Sequence, residues 1–313
     1  TPDTARRLAS IVKGDVVHGR DPAAERARKR REGTIAELAG RYLEEHVAAH
    51  NKPSTRAEIE RIVETRIKPK LGTIKVSDLS RAKVKEWHYA MRDTPYEANR
   101  ALAYLSKMLS LAAAEWELRP DNPCRGVKRF PERKRERFFS DVELQRIGQV
   151  FTEAETNNRV LPGCIATLRL LAVTGMRLGE VLSLEWPHVD LGAGVLRLPD
   201  AKSGARTIPL GAPARALLAS LSRSGAFVVH GPDPAKPLSV HTLQKAWARL
   251  RAAAGIPNAR VHDFRHTHGT YAAQAGFNAF VVRDLLGHKS MAMTGRYVER
   301  APDPLSAAAD VVS

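Results

Sequence analysis

Six residues in the C-terminal half carry side chains that could act together on one phosphate. Arg177 lies in T-G-M-R-L-G-E, Lys202 in D-A-K-S-G-A-R, His262 and Arg265 in V-H-D-F-R-H-T, and His288 in L-L-G-H-K-S. Tyr297 follows His288 by nine positions. Arginine offers paired N–H donors that match phosphate oxygens. A lysine and two histidines add positive charge and groups that move protons. A tyrosine beside such a set can attack the phosphorus, but its ordinary pKa near about 10 means that it needs help.

Each residue also has a plainer reading. Arg177 can pair with Glu180 on a surface, Lys202 can be an ordinary hairpin-tip lysine, and His288 can cap a helix. Tyr297 is one of six tyrosines; Tyr42, Tyr89, Tyr96, Tyr104 and Tyr271 read as packing residues. His262, His266 and His268 could hold zinc, since the first two are one helical turn apart. No carboxylate or cysteine arrangement completes that set, and His268 points elsewhere.

The ordered pattern R…K…H-x-x-R…H…Y is far more specific than any part of it. It resembles the tyrosine recombinase (phage integrase) family, of the genomic-island or prophage type, over almost the whole chain from about residue 34. The resemblance implies that Arg177, Arg265 and His288 hold the non-bridging oxygens of a DNA phosphate. It makes Lys202 the proton donor to the leaving 5′ oxygen, His262 an aid to proton transfer at the tyrosine, and Tyr297 the nucleophile. A 3′-phosphotyrosyl link would store the ester energy, so neither ATP, a cofactor nor a metal is called for. The implied partners are double-stranded DNA at attachment sites and three further copies of the chain in a DNA-bound homotetramer. A DNA-bending host factor and an excisionase complete the implied set, in a bacterial cytoplasm at the nucleoid. Two departures stand out. His268-Gly269-Thr270 replaces an apolar-small run, which puts local packing in question, and the tail after Tyr297 is short. Two rivals remain: a type IB topoisomerase with the same chemistry, and a DNA-binding regulator that kept the fold without the chemistry.

Composition points the same way. A net charge of +16 calls for a polyanionic partner. A membrane surface is the competing polyanion, but no run of 18 apolar residues and no basic amphipathic anchor supports it. Cys124 and Cys164 are the only cysteines, too few for a disulfide framework. A length of 313 residues suggests two domains. The chain opens at Thr1 rather than Met and reads as a fragment or a trimmed product.

The elements that must position these residues are mainly helical, with a small antiparallel β-sheet. Residues 1–31 resemble the end of the arm-binding domain that precedes the core in genomic-island integrases, followed by a basic linker, and read equally as a charged solvated helix. Residues 34–128 read as a four-helix DNA-binding bundle. Its signals are a capping box at Thr34 and Glu37, caps at Ser54 and Ser80, a break at Pro69 to Gly72, and a start at Thr94, Pro95 and Glu97. The third helix should run through Met91. Residues 125–137 hold seven basic side chains, with 129–138 as the interdomain linker; they either contact phosphates or merely solubilise. Residues 139–313 read as a mixed α/β catalytic domain. Ser140 and Glu143 cap its first helix, a second ends at Gly175, and G-V-L-R-L pairs with R-T-I-P-L in a hairpin whose tip carries Lys202. Helical periods follow from about 212 to the end. Leu305, Ala307, Ala308 and Val311 form a last short helix that needs a groove on its own domain or on a neighbour.

Overall fold

The computed structural model describes residues 33–132, 137–199 and 204–298, with positions 1–4, 7 and 10 before them. Most of the N-terminal segment, residues 133–136 of the basic linker, the hairpin tip with Lys202 and the tail after residue 298 lie outside the described residues. The chain separates into two compact units, Thr1–Lys134 and Arg135–Ser313. Among the described residues no helix is long and apolar enough to cross a membrane.

Among the described residues from 33 on, the first unit forms four helices: α1 (35–50), α2 (53–71), α3 (Arg81–Tyr89) and α4 (Pro95–Ala114). Thr34 and Glu37 cap α1 reciprocally, so two otherwise orphaned backbone donors are satisfied. Its apolar stripe buries Ile35, Leu38 and Tyr42 against Ile62, Ile67, Leu105 and Met108. Both α1 and α2 widen to π-helical turns, at Tyr42–Val47 and Val63–Ile67.

Four details differ from the sequence reading. Helix α2 starts at Pro53 after Lys52, not at a Ser54 cap, because proline at the first turn already has a helical φ and sacrifices no hydrogen bond. The same helix runs past Pro69 to Leu71. The wide turn at Val63–Ile67 has already interrupted the regular ladder just before the missing N–H. Helix α3 is capped by Ser80 but ends at Tyr89. At the start of α4 Pro95 is in place, but Thr94 makes no cap bond; its hydroxyl donates to the Met91 carbonyl. Glu97 is drawn instead to Arg61 (2.8 Å) and Arg66 (2.7 Å), since two guanidinium groups attract a carboxylate more strongly than a backbone N–H does.

The first part of the basic linker is packed rather than loose. Phe130 stacks on His88 with ring centroids 4.3 Å apart. The Phe130 backbone N–H donates to Asn99 Oδ1 and its carbonyl accepts from Asn99 Nδ2, each at 2.9 Å.

In the second unit α5 (Asp141–Thr156) begins at the Ser140/Glu143 capping box. Helix α6 (Pro162–Thr174) is apolar almost all round, as a central buried helix must be, and stops at Gly175 in the left-handed conformation, φ 62°. A one-turn helix α7 (Leu178–Leu182) follows. The sheet has order β1-β2-β3, all antiparallel: β1 (Val189–Asp190), β2 (Val195–Leu198) and β3 (Arg206–Pro209), with Leu196 opposite Ile208 and Leu198 opposite Arg206. Two-residue β1 is too short to show an alternation in sequence. Five more helices follow among the described residues: α8 (Ala212–Ser220), α9 (Val240–Ala253), α10 (Asp263–Gln274), α11 (Ala279–Leu286) and α12 (Met291–Val298). Residues 221–239 interrupt the expected helical run. Their glycines and prolines favour turns, and two isolated bridges, Glu185 to Phe227 and His230 to Pro237, hold them. Phe139, Trp247 and Phe264 meet at the centre of the core, with Phe139 and Phe264 centroids 4.8 Å apart.

The turn-rich stretch sits directly on the start of α6. A Cβ at Gly163 would fall 2.2 Å from the His230 carbonyl oxygen. Gly163→Ala should therefore destabilise the protein by about 1–3 kcal/mol, the usual cost of overpacking a rigid contact. Urea unfolding checks this; an unchanged midpoint would mean that the two backbones do not meet there.

Candidate active site

The site is built from the ends of helices. After Gly175, Arg177 takes the extended N-cap position of α7 (φ −74°, ψ 146°). Its backbone N–H donates to Glu180 Oε2 and its Nη1 to Glu180 Oε1, both at 2.8 Å. Nη2 reaches across the unit to the Gly287 carbonyl, also at 2.8 Å. Arg177 does pair with Glu180, but not as a surface pair: the Glu180 side chain is only 7% exposed.

Arg265, on α10, is 3% exposed. Its guanidinium donates to the Gly175 carbonyl (2.8 Å) and to the Leu286 carbonyl, so it ties together the C-terminal ends of α6 and α11. Burial pushes its pKa down to about 10, with the neighbouring charges of Arg177 and Arg206 adding to the shift. It still carries its charge at neutral pH.

Arg206 was not singled out by sequence reasoning. It begins β3, and its Nη2 donates to Glu180 Oε2 at 2.7 Å. Its side chain is 11% exposed. Burial lowers its pKa, Glu180 opposes that shift, and Arg177 adds to it. A signal was available, because Arg206 lies two residues before buried Ile208 and so shares its inward face. Two guanidinium groups thus bond one carboxylate, and that of Arg265 lies close enough to feel the charges of all three.

The turn after α11 delivers His288. Gly287 adopts φ 62°, and a Cβ there would lie 2.1 Å from Arg206 Nη1, so glycine is required twice over. His288 Nδ1 shares a hydrogen bond with Thr294 Oγ1 at 2.9 Å, and its ring stacks on Tyr297, centroids 6.0 Å apart at 15°. Tyr297, on α12, is 2% exposed, and its hydroxyl lies 2.9 Å from His266 Nδ1. His262, at the N-cap of α10, is exposed and borders a cleft of about 460 Å³ lined also by Gln244, Arg251, Arg260 and Arg265.

The His268-Gly269-Thr270 departure has a packing explanation. His268 sits where a Gly175 Cβ would be, 2.6 Å from its Cδ2. Gly269 makes room for the nucleophile candidate, since a Cβ there would lie 3.1 Å from Tyr297 Cε1 and Cζ. Thr270 is fully buried. His268 turns toward the Ala172 carbonyl (3.3 Å) while His266 meets Tyr297, so the three histidines do not converge as a zinc set.

The described residues therefore bring Arg177, Arg265, His288 and Tyr297 together, with His262 at the head of the same α10. Arg206 joins them unanticipated, Glu180 joins them as a buried rather than a surface partner of Arg177, and His266 as a partner of Tyr297 rather than a zinc ligand. Lys202 lies outside the described residues; the strands flanking its hairpin tip, β2 and β3, are in place.

Residues 137–303, more than half of the chain, match the phage integrase family, and residues 34–91 match the phage integrase N-terminal SAM-like domain. The shufflon-specific DNA recombinase of Escherichia coli is 30% identical over 199 residues, which cover 63% of this chain and 49% of that protein. The chain thus spans about half the length of that relative. A lambda integrase dimer bound to a COC′ core site superposes with a TM-score of 0.76 at 20% identity, covering 94% of this chain and 87% of that one. A lambda integrase tetramer bound to a Holliday junction gives 0.75 at 19%, covering 95% and 86%. Both share the fold.

Glu180 generates a pH prediction. Burial alone would raise its pKa, but the backbone and side-chain hydrogen bonds from Arg177 and the charges of Arg206 and Arg177 outweigh burial and hold it below the usual range. A depressed folded-state pKa stabilises above the unfolded value, about 4.3, and that stabilisation is lost as pH falls through the folded value. The thermal midpoint should drop below about pH 4.3, and Glu180→Gln should flatten that drop while lowering stability at neutral pH. An unaltered acid limb in the variant would remove Glu180 as its source.

Proposed function

Because the chain belongs to the phage integrase family, we propose that it is a site-specific DNA recombinase that cuts and rejoins duplex DNA through a 3′-phosphotyrosyl link at Tyr297. The observation that carries this reading is a buried tyrosine, held by His266 and His288, close to a group of three arginines whose charges one carboxylate only partly balances. A phosphodiester is the anion such a site suits.

In this mechanism Arg177, Arg265 and His288 hold the non-bridging oxygens and stabilise the charge of the pentavalent transition state. Tyr297 Oη bonds to phosphorus as the bond to the 5′ oxygen breaks. Lys202 gives that oxygen its proton, and His262 assists proton transfer near the tyrosine. Attack by the 5′-hydroxyl of another strand exchanges strands; attack by the original one reseals. Because the ester is conserved at each step, no external energy source is needed. The +16 charge supplies affinity for the DNA backbone. The assembly that fits is a homotetramer on paired attachment sites, as the lambda tetramer on a Holliday junction illustrates.

Tyr297→Phe should bind attachment-site DNA normally yet form no covalent adduct on a nicked suicide substrate; an adduct from this variant would overturn the assignment. Lys202→Ala should lose cleavage on normal DNA by about 100-fold or more and recover on a 5′-bridging phosphorothioate, whose sulfur leaves without a proton. Absence of recovery moves the acid role to another residue.

A further inference from the structure

The reading above leaves open which group receives the tyrosine proton. The geometry points to His266 as the catalytic base that takes the Tyr297 hydroxyl proton during strand cleavage. The inference rests on the proposed cleavage chemistry and names a residue in it.

His266 Nδ1 lies 2.9 Å from Tyr297 Oη, hydrogen-bond distance for a phenol and an imidazole. Both ends of that contact are constrained. Tyr297 is nearly fully buried, its ring stacked on His288 and seated against Gly269. His266 follows Arg265, whose bonds to the Gly175 and Leu286 carbonyls anchor that part of α10. His262 is one turn earlier and exposed, its ring edge-on to His266 with centroids 4.8 Å apart. The imidazole at hydrogen-bond distance from the nucleophile is thus the one after the arginine.

The step balances as follows. A lone pair of Tyr297 Oη forms the bond to phosphorus, and the bond to the 5′ oxygen breaks. The phenolic proton passes to His266 Nδ1, which gives an imidazolium, and the 5′ oxygen takes a proton from Lys202. Rejoining reverses each transfer. The neutral ring must carry its proton on Nε2 beforehand, leaving Nδ1 as acceptor.

Single-turnover adduct formation on a nicked suicide substrate tests this in the full chain. Asparagine can hydrogen-bond Tyr297 from the Nδ1 position but cannot take its proton. His266→Asn should therefore slow adduct formation by about 100-fold or more while gel-shift affinity is unchanged. Installing 3,5-difluorotyrosine at position 297, a more acidic phenol, should shrink that defect to a few-fold. Full activity in the Asn variant, or a defect that the acidic phenol leaves untouched, would show a purely structural contact. A second measurement needs no change at His266. Its Nδ1 nitrogen resonance in the unaltered protein should be that of an unprotonated nitrogen and should move in Tyr297→Phe; a protonated Nδ1 would sink the idea. Should the unaltered protein form no adduct at all, the cleavage reading fails first and this inference with it. A normal adduct in the unaltered protein beside a fast Asn variant refutes this inference alone.

Discussion

Holding three guanidinium groups in one small space is the constraint on which the rest of the catalytic unit depends. Like charges at such distances repel strongly when water is scarce. Glu180 relieves part of that repulsion by bonding Arg177 on one oxygen and Arg206 on the other. One carboxylate cannot neutralise three cations, so the site retains a positive excess that a bound phosphate would complete.

The remaining compensation comes from main chain. Helices carry partial negative charge at their C-terminal carbonyls. Arg265 bonds the Gly175 carbonyl after α6 and the Leu286 carbonyl at the end of α11; Arg177 bonds the Gly287 carbonyl just beyond. Both helices stop in a left-handed glycine, which turns the chain sharply enough to present those oxygens. The same glycines vacate space, Gly175 for His268 and Gly287 for Arg206. Helix ending, charge compensation and packing are therefore satisfied by two residues, and T-G-M-R and L-G-H read as functional turns for that reason.

What was legible in the sequence was local. The capping boxes at Thr34 and Ser140, the helix stop at Gly175 and the hairpin pairing of 195–198 with 206–209 depend on neighbours a few residues apart. Arg177, Arg265, His288 and Tyr297 could be chosen because a family resemblance supplied the long-range relation that spacing lacks. Arg206, the burial of Glu180 and the His266 contact escaped because each is decided by residues distant in sequence; Arg177 and Gly287 are 110 positions apart. Thr94 failed as a cap for a related reason, since Glu97 is claimed by arginines on another helix.

Gly269 sets how accurately the tyrosine can be placed. Besides its stack on His288, the Tyr297 ring rests near the bare α-carbon of a helix, where any other residue would place a side chain. A side-chain stop can yield by changing rotamer, whereas a stop made by helical backbone yields only if the helix moves. The hydroxyl is thus indexed to the same rigid rod that carries His262, Arg265 and His266. Its positional error relative to them is the tolerance of one helix–helix contact, not the accumulated tolerance of several flexible side chains.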